Sequence, residues 1–446
     1  MKNRLPSLLF LIYIISTHSI IAQFAEPILL QEDTSNITNI VFADINNDNL
    51  KDIIVTKKIE STSISYFINL GDLNFSEENV ILSGNSLVTN IATGDFNNDG
   101  WEDLISIGDN ENSVRLHINS NSTFTSQVID TFTFFESDIS ASDIDNDGDL
   151  DFIAIGGPTF KVFYNDGSAN FTQQTISGPQ DNFEDFFDIT IADIDNDGYE
   201  DVITGGANTS VYKNTNGIIT YDSTRSSAIN NGTNLMVKLI DLDNDGDLDL
   251  LSQSNSSSFG IHWIENDGNG NFINTHIIDP NPYSVESVTV KDFDNDEDND
   301  ILISDNFDLL IYNNDSLGNF SLPSVIQDND LSISTVYSED FDNDGDYDII
   351  WSADLSIQLN NNTLSIDKNP DNNNINIYPN PVLDNINIYT ETSGKCTVYN
   401  FIGQIIASDI ALNSGYNTIK LSNKAQGYII KIETNNKATY KKVLSK

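Results

Sequence analysis

The sequence predicts an all-β chain: a seven-bladed β-propeller followed by a small C-terminal β-sandwich. Three observations carry that prediction. An Asp-rich motif recurs seven times, at steps of 51, 48, 50, 48, 51 and 48 residues. Each copy lies between short runs of β-branched and apolar residues, without helical periodicity. The charge changes sign near residue 374, where an acidic region gives way to a basic one.

Composition sets the outer limits. A chain of 446 residues suits two or three domains or one large repeat array. Hydrophobic residues at 38% and aromatics at 10% supply a core, so the 68 acids do not mark a disordered tail. The net charge of -48 repels phosphate backbones and argues against a nucleic-acid partner. A single cysteine, Cys396, excludes an intrachain disulfide framework and a Cys-based zinc site.

Residues 1–22 read as a signal peptide. Lys2 and Arg4 precede an apolar run over residues 8–15, and Ala22 is small enough to precede a cleavage point. No stretch reaches eighteen apolar residues, so no transmembrane helix is expected. Residues 23–366 form the expected propeller and 367–374 a polar linker. Residues 375–446, with eight Lys against four acids, form the sandwich.

The repeats begin at Asp44, Asp95, Asp143, Asp193, Asp241, Asp292 and Asp340. Each reads Asp, apolar, Asp or Asn, Asn, Asp, usually Gly, two variable residues, Asp. Four residues before each start stands a β-branched residue: Ile40, Ile91, Ile139, Ile189, Val237, Val288 or Val336. An apolar run follows the last Asp, so each motif is expected to join two strands of a hairpin. A third strand ends in Asn69, Asn119, Asn165, Asn214, Asn266, Asn313 and Asn360. A fourth begins near Phe24, Phe75, Phe124, Phe171, Ile218, Phe272 and Phe320. Four strands per repeat make a propeller blade. The first fourth-strand segment precedes the first motif, so residues 24–30 are expected to complete the last blade and clasp the ring.

Acidic side chains at positions one, three, five and nine of a tight loop converge on one hard cation, and calcium accepts six to eight oxygens at flexible geometry. The expected ligands are Asp44, Asn46, Asp48 and Asp52; Asp95, Asn97, Asp99 and Asp103; Asp143, Asp145, Asp147 and Asp151; Asp193, Asp195, Asp197 and Asp201; Asp241, Asp243, Asp245 and Asp249; Asp292, Asp294, Asp296 and Asp300; and Asp340, Asp342, Asp344 and Asp348. Up to seven Ca2+ ions follow. The Gly at position six supplies positive φ. Asn49 replaces it in the first loop and Glu297 in the sixth, where strain is expected.

These repeats resemble the FG-GAP/VCBS family, the propeller of integrin α-chains and of many secreted bacterial proteins. The resemblance implies calcium in the loops and ligands on the opposite face. The C-terminal residues resemble the type IX secretion sorting domain of Bacteroidetes. The matching residues are Ile377-Tyr378-Pro379-Asn380-Pro381, Val398-Tyr399-Asn400-Phe401-Ile402-Gly403, Gly427-Tyr428-Ile429-Ile430 and Lys441-Lys442-Val443-Leu444. That resemblance implies a secreted or surface-attached protein, delivered across the outer membrane by the type IX machinery.

No hydrolase, zinc-protease or phosphate-loop motif stands out. His117, His262 and His276 lie in strand-like runs and read as strand-surface residues. The leading expectation is therefore a binding or adhesion module for an extracellular glycan or protein. A polysaccharide lyase or hydrolase working in the central pit, and a structural surface-layer component, are the alternatives. Phe134 and Phe135 before the third motif, Phe183, Phe186 and Phe187 before the fourth, and Tyr283 before the sixth are candidates for an exposed ligand face, against packing between blades.

Overall fold

The computed structural model describes residues 24–31, 37–57, 62–71, 73–84, 88–108, 113–132, 136–157, 159–176, 186–229, 233–254, 260–280, 285–305, 308–328, 332–342, 344–352, 354–360, 376–378, 385–390, 392–400, 405–420, 427–434 and 437–444. Residues 1–22 and the linker expected at 367–374 lie outside this set. No helix among the described residues is long and apolar enough to cross a membrane. Contacts divide the chain into two compact units between Asn362 and Thr363.

The first unit is a β-propeller. Its first blade pairs Ile37–Ala43, Asp52–Lys57, Thr62–Phe67 and Asn79–Ser83 in sequence order, all antiparallel. Five more four-stranded sets follow the same plan among the described residues, the fourth and fifth joined by the bridge Gly206–Asn234. The second strand of each of the first five blades is buried throughout, as in Asp103–Gly108 and Asp151–Gly156, because it is covered on both faces by neighbouring blades.

The last blade is completed from the other end of the chain. Ile28–Gln31 pairs antiparallel with Leu355–Gln358, Phe24 bridges Asn360, and the Ala25 N–H donates to the Leu359 carbonyl at 2.8 Å. The expected clasp is present. Ile37, Ile40 and Phe67 of the first blade share one core with Phe341, Ile350 and Ile357 of the last, so the ring closes through apolar packing as well. Every other adjacent pair of blades has its own cluster of this kind.

The first strands of adjacent blades lie against one another and carry a belt of polar side chains. The Tyr337 hydroxyl donates to Asn39 Oδ1 at 2.8 Å, Asn39 Nδ2 to Asn90 Oδ1, and Asn90 Nδ2 to Asp138 Oδ1. Asp138 Oδ2 accepts the Ile189 N–H at 3.0 Å, and Asp188 Oδ2 the Val237 N–H at 2.8 Å. The Lys238 ammonium lies 3.6 Å from Asp188 Oδ1. Burial, then the neighbouring Asp188 carboxylate, holds the Asp138 carboxyl well above the usual carboxylate range, against the pull of Lys238. The folded chain thus keeps a proton that the unfolded chain releases, and this contribution to stability is lost as pH rises from about 4 through the folded pKa. Asp138→Asn removes this titration but gives up one acceptor, since both Asp138 oxygens accept N–H groups. In calcium-containing buffer it is expected to destabilise by ~1 kcal/mol or more near pH 4, with the deficit shrinking toward pH 8 as the parent loses its own contribution. Melting curves of both proteins across that range check it.

The second unit has two sheets. One holds Asn376–Tyr378, Asn385–Thr390 and Gly415–Lys420, and the other Ile405–Leu412, Gly394–Asn400, Gly427–Thr434 and Lys437–Leu444. Ile386, Ile388 and Ile419 of the first sheet pack on Cys396, Val398, Tyr428, Ile430 and Ile432 of the second. Cys396 is a free, buried thiol.

Candidate metal centres

Each motif forms a tight loop between the first and second strands of its blade, so all seven loops lie at one end of the ring. The Asp at position one folds back over its loop. It accepts the position-six N–H at 2.7–3.1 Å in every loop, and in six loops also the position-five N–H at 3.0–3.2 Å. The Asn at position four has φ of 57–61° in the six loops where it is described, and position six has φ of 68–98°. These two left-handed residues curl the chain so that positions one, three and five face inward.

The Asp at position nine does something the sequence did not announce. Asp52, Asp103, Asp151, Asp201, Asp249, Asp300 and Asp348 are fully buried. One oxygen of each accepts the N–H of the Asn ending the third strand, at 2.7–2.9 Å. In six loops the other oxygen accepts the position-two N–H at 2.9–3.3 Å. Burial pushes these carboxyls up, to about 6 at Asp52, about 7 at Asp103, Asp151, Asp201, Asp249 and Asp300, and about 8 at Asp348, while the backbone donors pull them back.

The third-strand Asn then joins blades. Asn119, Asn165, Asn214, Asn266, Asn314 and Asn360 each donate Nδ2 to the position-two carbonyl of the preceding blade at 2.7–2.9 Å. The sixth member is Asn314 and not the expected Asn313, whose Nδ2 instead donates to Asp294 Oδ2 at 2.7 Å. Two consecutive asparagines hid the register; only the residue whose N–H faces Asp300 can take the joining role. The position-four Asn adds a second tie, as in Asn47 to the Gly100 carbonyl at 2.9 Å and Asn146 to the Gly198 carbonyl at 2.7 Å. Its recurrence in all seven motifs was the available signal.

The donor set fits a calcium ion. Oxygens from Asp143, Asp145 and Asp151; Asp193, Asp195 and Asp197; Asp241, Asp243 and Asp249; Asp292, Asp294 and Asp296; and Asp340, Asp342 and Asp344 lie within 4.8 Å of one another in each group. Oxygens on opposite sides of a calcium shell stand about 5 Å apart, twice the 2.3–2.6 Å bond. Asp195 Oδ1, Asp241 Oδ1, Asp243 Oδ1 and Asp294 Oδ1 are buried without a hydrogen-bond partner, which a cation would satisfy. The first and second loops carry Asn46 and Asn97 at position three and offer fewer carboxylates.

Glu297 has φ 74°, the conformation its Gly counterparts adopt freely, and its side chain is exposed. A Cβ at Gly100, Gly148, Gly198, Gly246 or Gly345 meets nothing within 4 Å, so position six requires the backbone conformation and not space. Glu297→Gly is therefore expected to stabilise the protein by roughly 1 kcal/mol in calcium. Differential scanning calorimetry of the two chains checks it.

The aromatic ligand face is corrected where it can be seen. Phe186 is buried, edge-on to Phe160 in the core between the third and fourth blades. The ring is drawn inward because it sits where the strand begins against its neighbour. Phe134, Phe135, Phe183 and Tyr283 lie outside the described residues, as does the side chain of Phe187. The histidines are corrected too. His117 is fully buried between Ser106 and Ser126, with burial pulling its pKa down to about 4, and His262 is buried as well. Both belong to strands covered on two faces. His276 is exposed and stacks on Trp263.

A ring of four-stranded blades with an acidic loop at one end of each defines a repeat-built propeller. The FG-GAP-like repeat model matches residues 44–106, 95–154, 143–204 and 241–303, and the chain belongs to that family. The secretion system C-terminal sorting domain matches residues 376–446, which assigns the protein to type IX export, to the cell surface or the extracellular space. No curated relative matches the sequence. Among solved structures, the fold is similar to BBS1N in its complex with ARL6DN, at 10% identity and TM-score 0.52 over 76% of this chain and 97% of that one. It is also similar to the Dos1 propeller, at 8% identity and TM-score 0.51 over 76% and 95%. A lectin from Agrocybe aegerita matches at 18% identity and TM-score 0.49 over 74% and 85%.

Proposed function

We propose that the protein is a calcium-stiffened binding or adhesion module, displayed or released at the cell surface to hold a glycan or a protein. One observation carries this reading: almost half of the acidic side chains are gathered into loops at one end of the ring, with an arrangement that suits cation ligands and blade fasteners. The leader at residues 1–22 and the tag at 375–446 suit delivery to that place. The test is a binding screen on glycans and extracellular-matrix proteins, run beside a reducing-sugar assay on the same glycans. Capture without turnover supports the module; turnover of any glycan overturns it.

A second reading, a polysaccharide lyase or hydrolase, is favoured by one feature only. Asp138, Asp188 and Lys238 meet on the inner strands, where a carboxyl that keeps its proton could act as an acid. The reducing-sugar arm decides it. Removal of residues 375–446 is expected to leave a folded propeller that no longer reaches the cell surface. Fractionation of a tagged truncation checks this, and normal display would refute the tag.

A further inference from the structure

The seven loops are not equivalent. The residue preceding the blade-joining Asn is Ile68, Ile118, Tyr164, Lys213, Glu265, Asn313 or Leu359 in the seven blades, so only the fourth blade has a cationic side chain at this position. The Lys213 ammonium bonds Asp195 Oδ2 and lies 2.9 Å from Asp197 Oδ2. These are the third and fifth positions of the fourth loop, the oxygens that a bound ion would need.

A second cation reaches the same carboxylate. Arg225 Nη2 lies 3.0 Å from Asp195 Oδ2, and its guanidinium is largely buried. Arg225 belongs to the helix Ser223–Ile229, the only helix among the described residues. Asp222 Oδ1 caps that helix by accepting the Thr224 and Arg225 N–H groups at 2.9 and 3.0 Å. Arg225 Nη2 also donates to the Asn269 carbonyl at 2.7 Å, on the outer turn of the fifth blade. A Cβ at Gly270 would meet the guanidinium at 2.9 Å, so the turn is shaped around this side chain. Two fixed positive charges held against Asp195 offset part of the charge of the loop's four Asp carboxylates, and a divalent ion would have to displace the ammonium from Asp195 and Asp197.

We propose that the fourth loop is closed by Lys213 and Arg225 in place of calcium, so that the ring carries one metal-independent joint among its metal-dependent ones. The proposal rests on the reading that the other loops hold calcium.

Bound calcium per chain, measured by equilibrium dialysis on the full-length secreted protein, tests it. Asp145→Ala in the third loop is expected to remove one ion. Asp195→Ala in the fourth is expected to remove none. The double variant Lys213→Met, Arg225→Met is expected to gain one ion. Loss of an ion in Asp195→Ala, or an unchanged count in a folded double variant, overturns the proposal. If the double variant fails to fold, the Asp145 and Asp195 comparison still decides. A wild-type protein that binds no calcium at all defeats the reading of the loops instead, and is told apart by the Asp145→Ala result.

Discussion

Chelation of calcium is expected to lower the melting midpoint of the propeller by roughly 10–15 °C. At millimolar calcium and a dissociation constant near ~0.1 mM, each site adds about 1–2 kcal/mol. Six or seven sites sum to about 10 kcal/mol, set against the unfolding entropy of a domain of this size. Without the ion, carboxylate oxygens within 4.8 Å of one another repel, and the loops lose the charge that balances them. The effect should grow with pH. In the metal-free fold the position-nine carboxyls are raised, so that state sheds stability as pH climbs from about 4, where unfolded aspartates ionise, to about 8, where Asp348 does. Calorimetry with and without chelator at pH 5.5 and pH 8 measures both parts. An unmoved midpoint at pH 8 would remove calcium from the account.

Asp151→Ala is expected to cost about 3–4 kcal/mol in chelator, and about 1–2 kcal/mol more in calcium. The carboxylate accepts the Asn165 N–H at 2.7 Å and the Ile144 N–H at 3.0 Å in a fully buried site. Its loss leaves two buried donors unpaired, at roughly 1–3 kcal/mol each. Asp147→Ala makes the contrast. That side chain lies at the exposed position five, so its loss should cost about 1–2 kcal/mol in calcium and almost nothing in chelator. Chemical denaturation of both variants in the two buffers separates fastener from ligand. Equal behaviour of the two would show that position nine is only a ligand.

The blades, their loops and the N-terminal clasp were legible because they follow from local pattern. A period near 50 residues with an Asp loop in each copy locates two strands at once, and the leftover segment at the front has one place to go. What stayed hidden depends on neighbours remote in sequence. Asn214 donates to Ile144 and Asn266 to Ile194, across spans that no single-repeat reading joins. Phe186 stands in a polar local context that does not decide between exposure and packing between blades, and the adjacent blade covers it. The helix Ser223–Ile229 has no amphipathic stripe to betray it and is held by its Asp222 cap and by Arg225. Lys213 carries no signal of its own in the repeat, because its role depends on Asp195 and Asp197 in the loop before it.

The clasp also sets the order in which the molecule can be finished. Ile28 meets Ile357 across almost the whole propeller, and bringing such distant residues together costs several kcal/mol of chain entropy before any contact repays it. High contact order of this kind slows folding. Until the two ends meet, Leu355–Gln358 presents an unpaired edge to any other extended chain. A ring sealed by its first strand also resists unravelling from that end, so its lifetime outside the cell is governed by how often the seal opens.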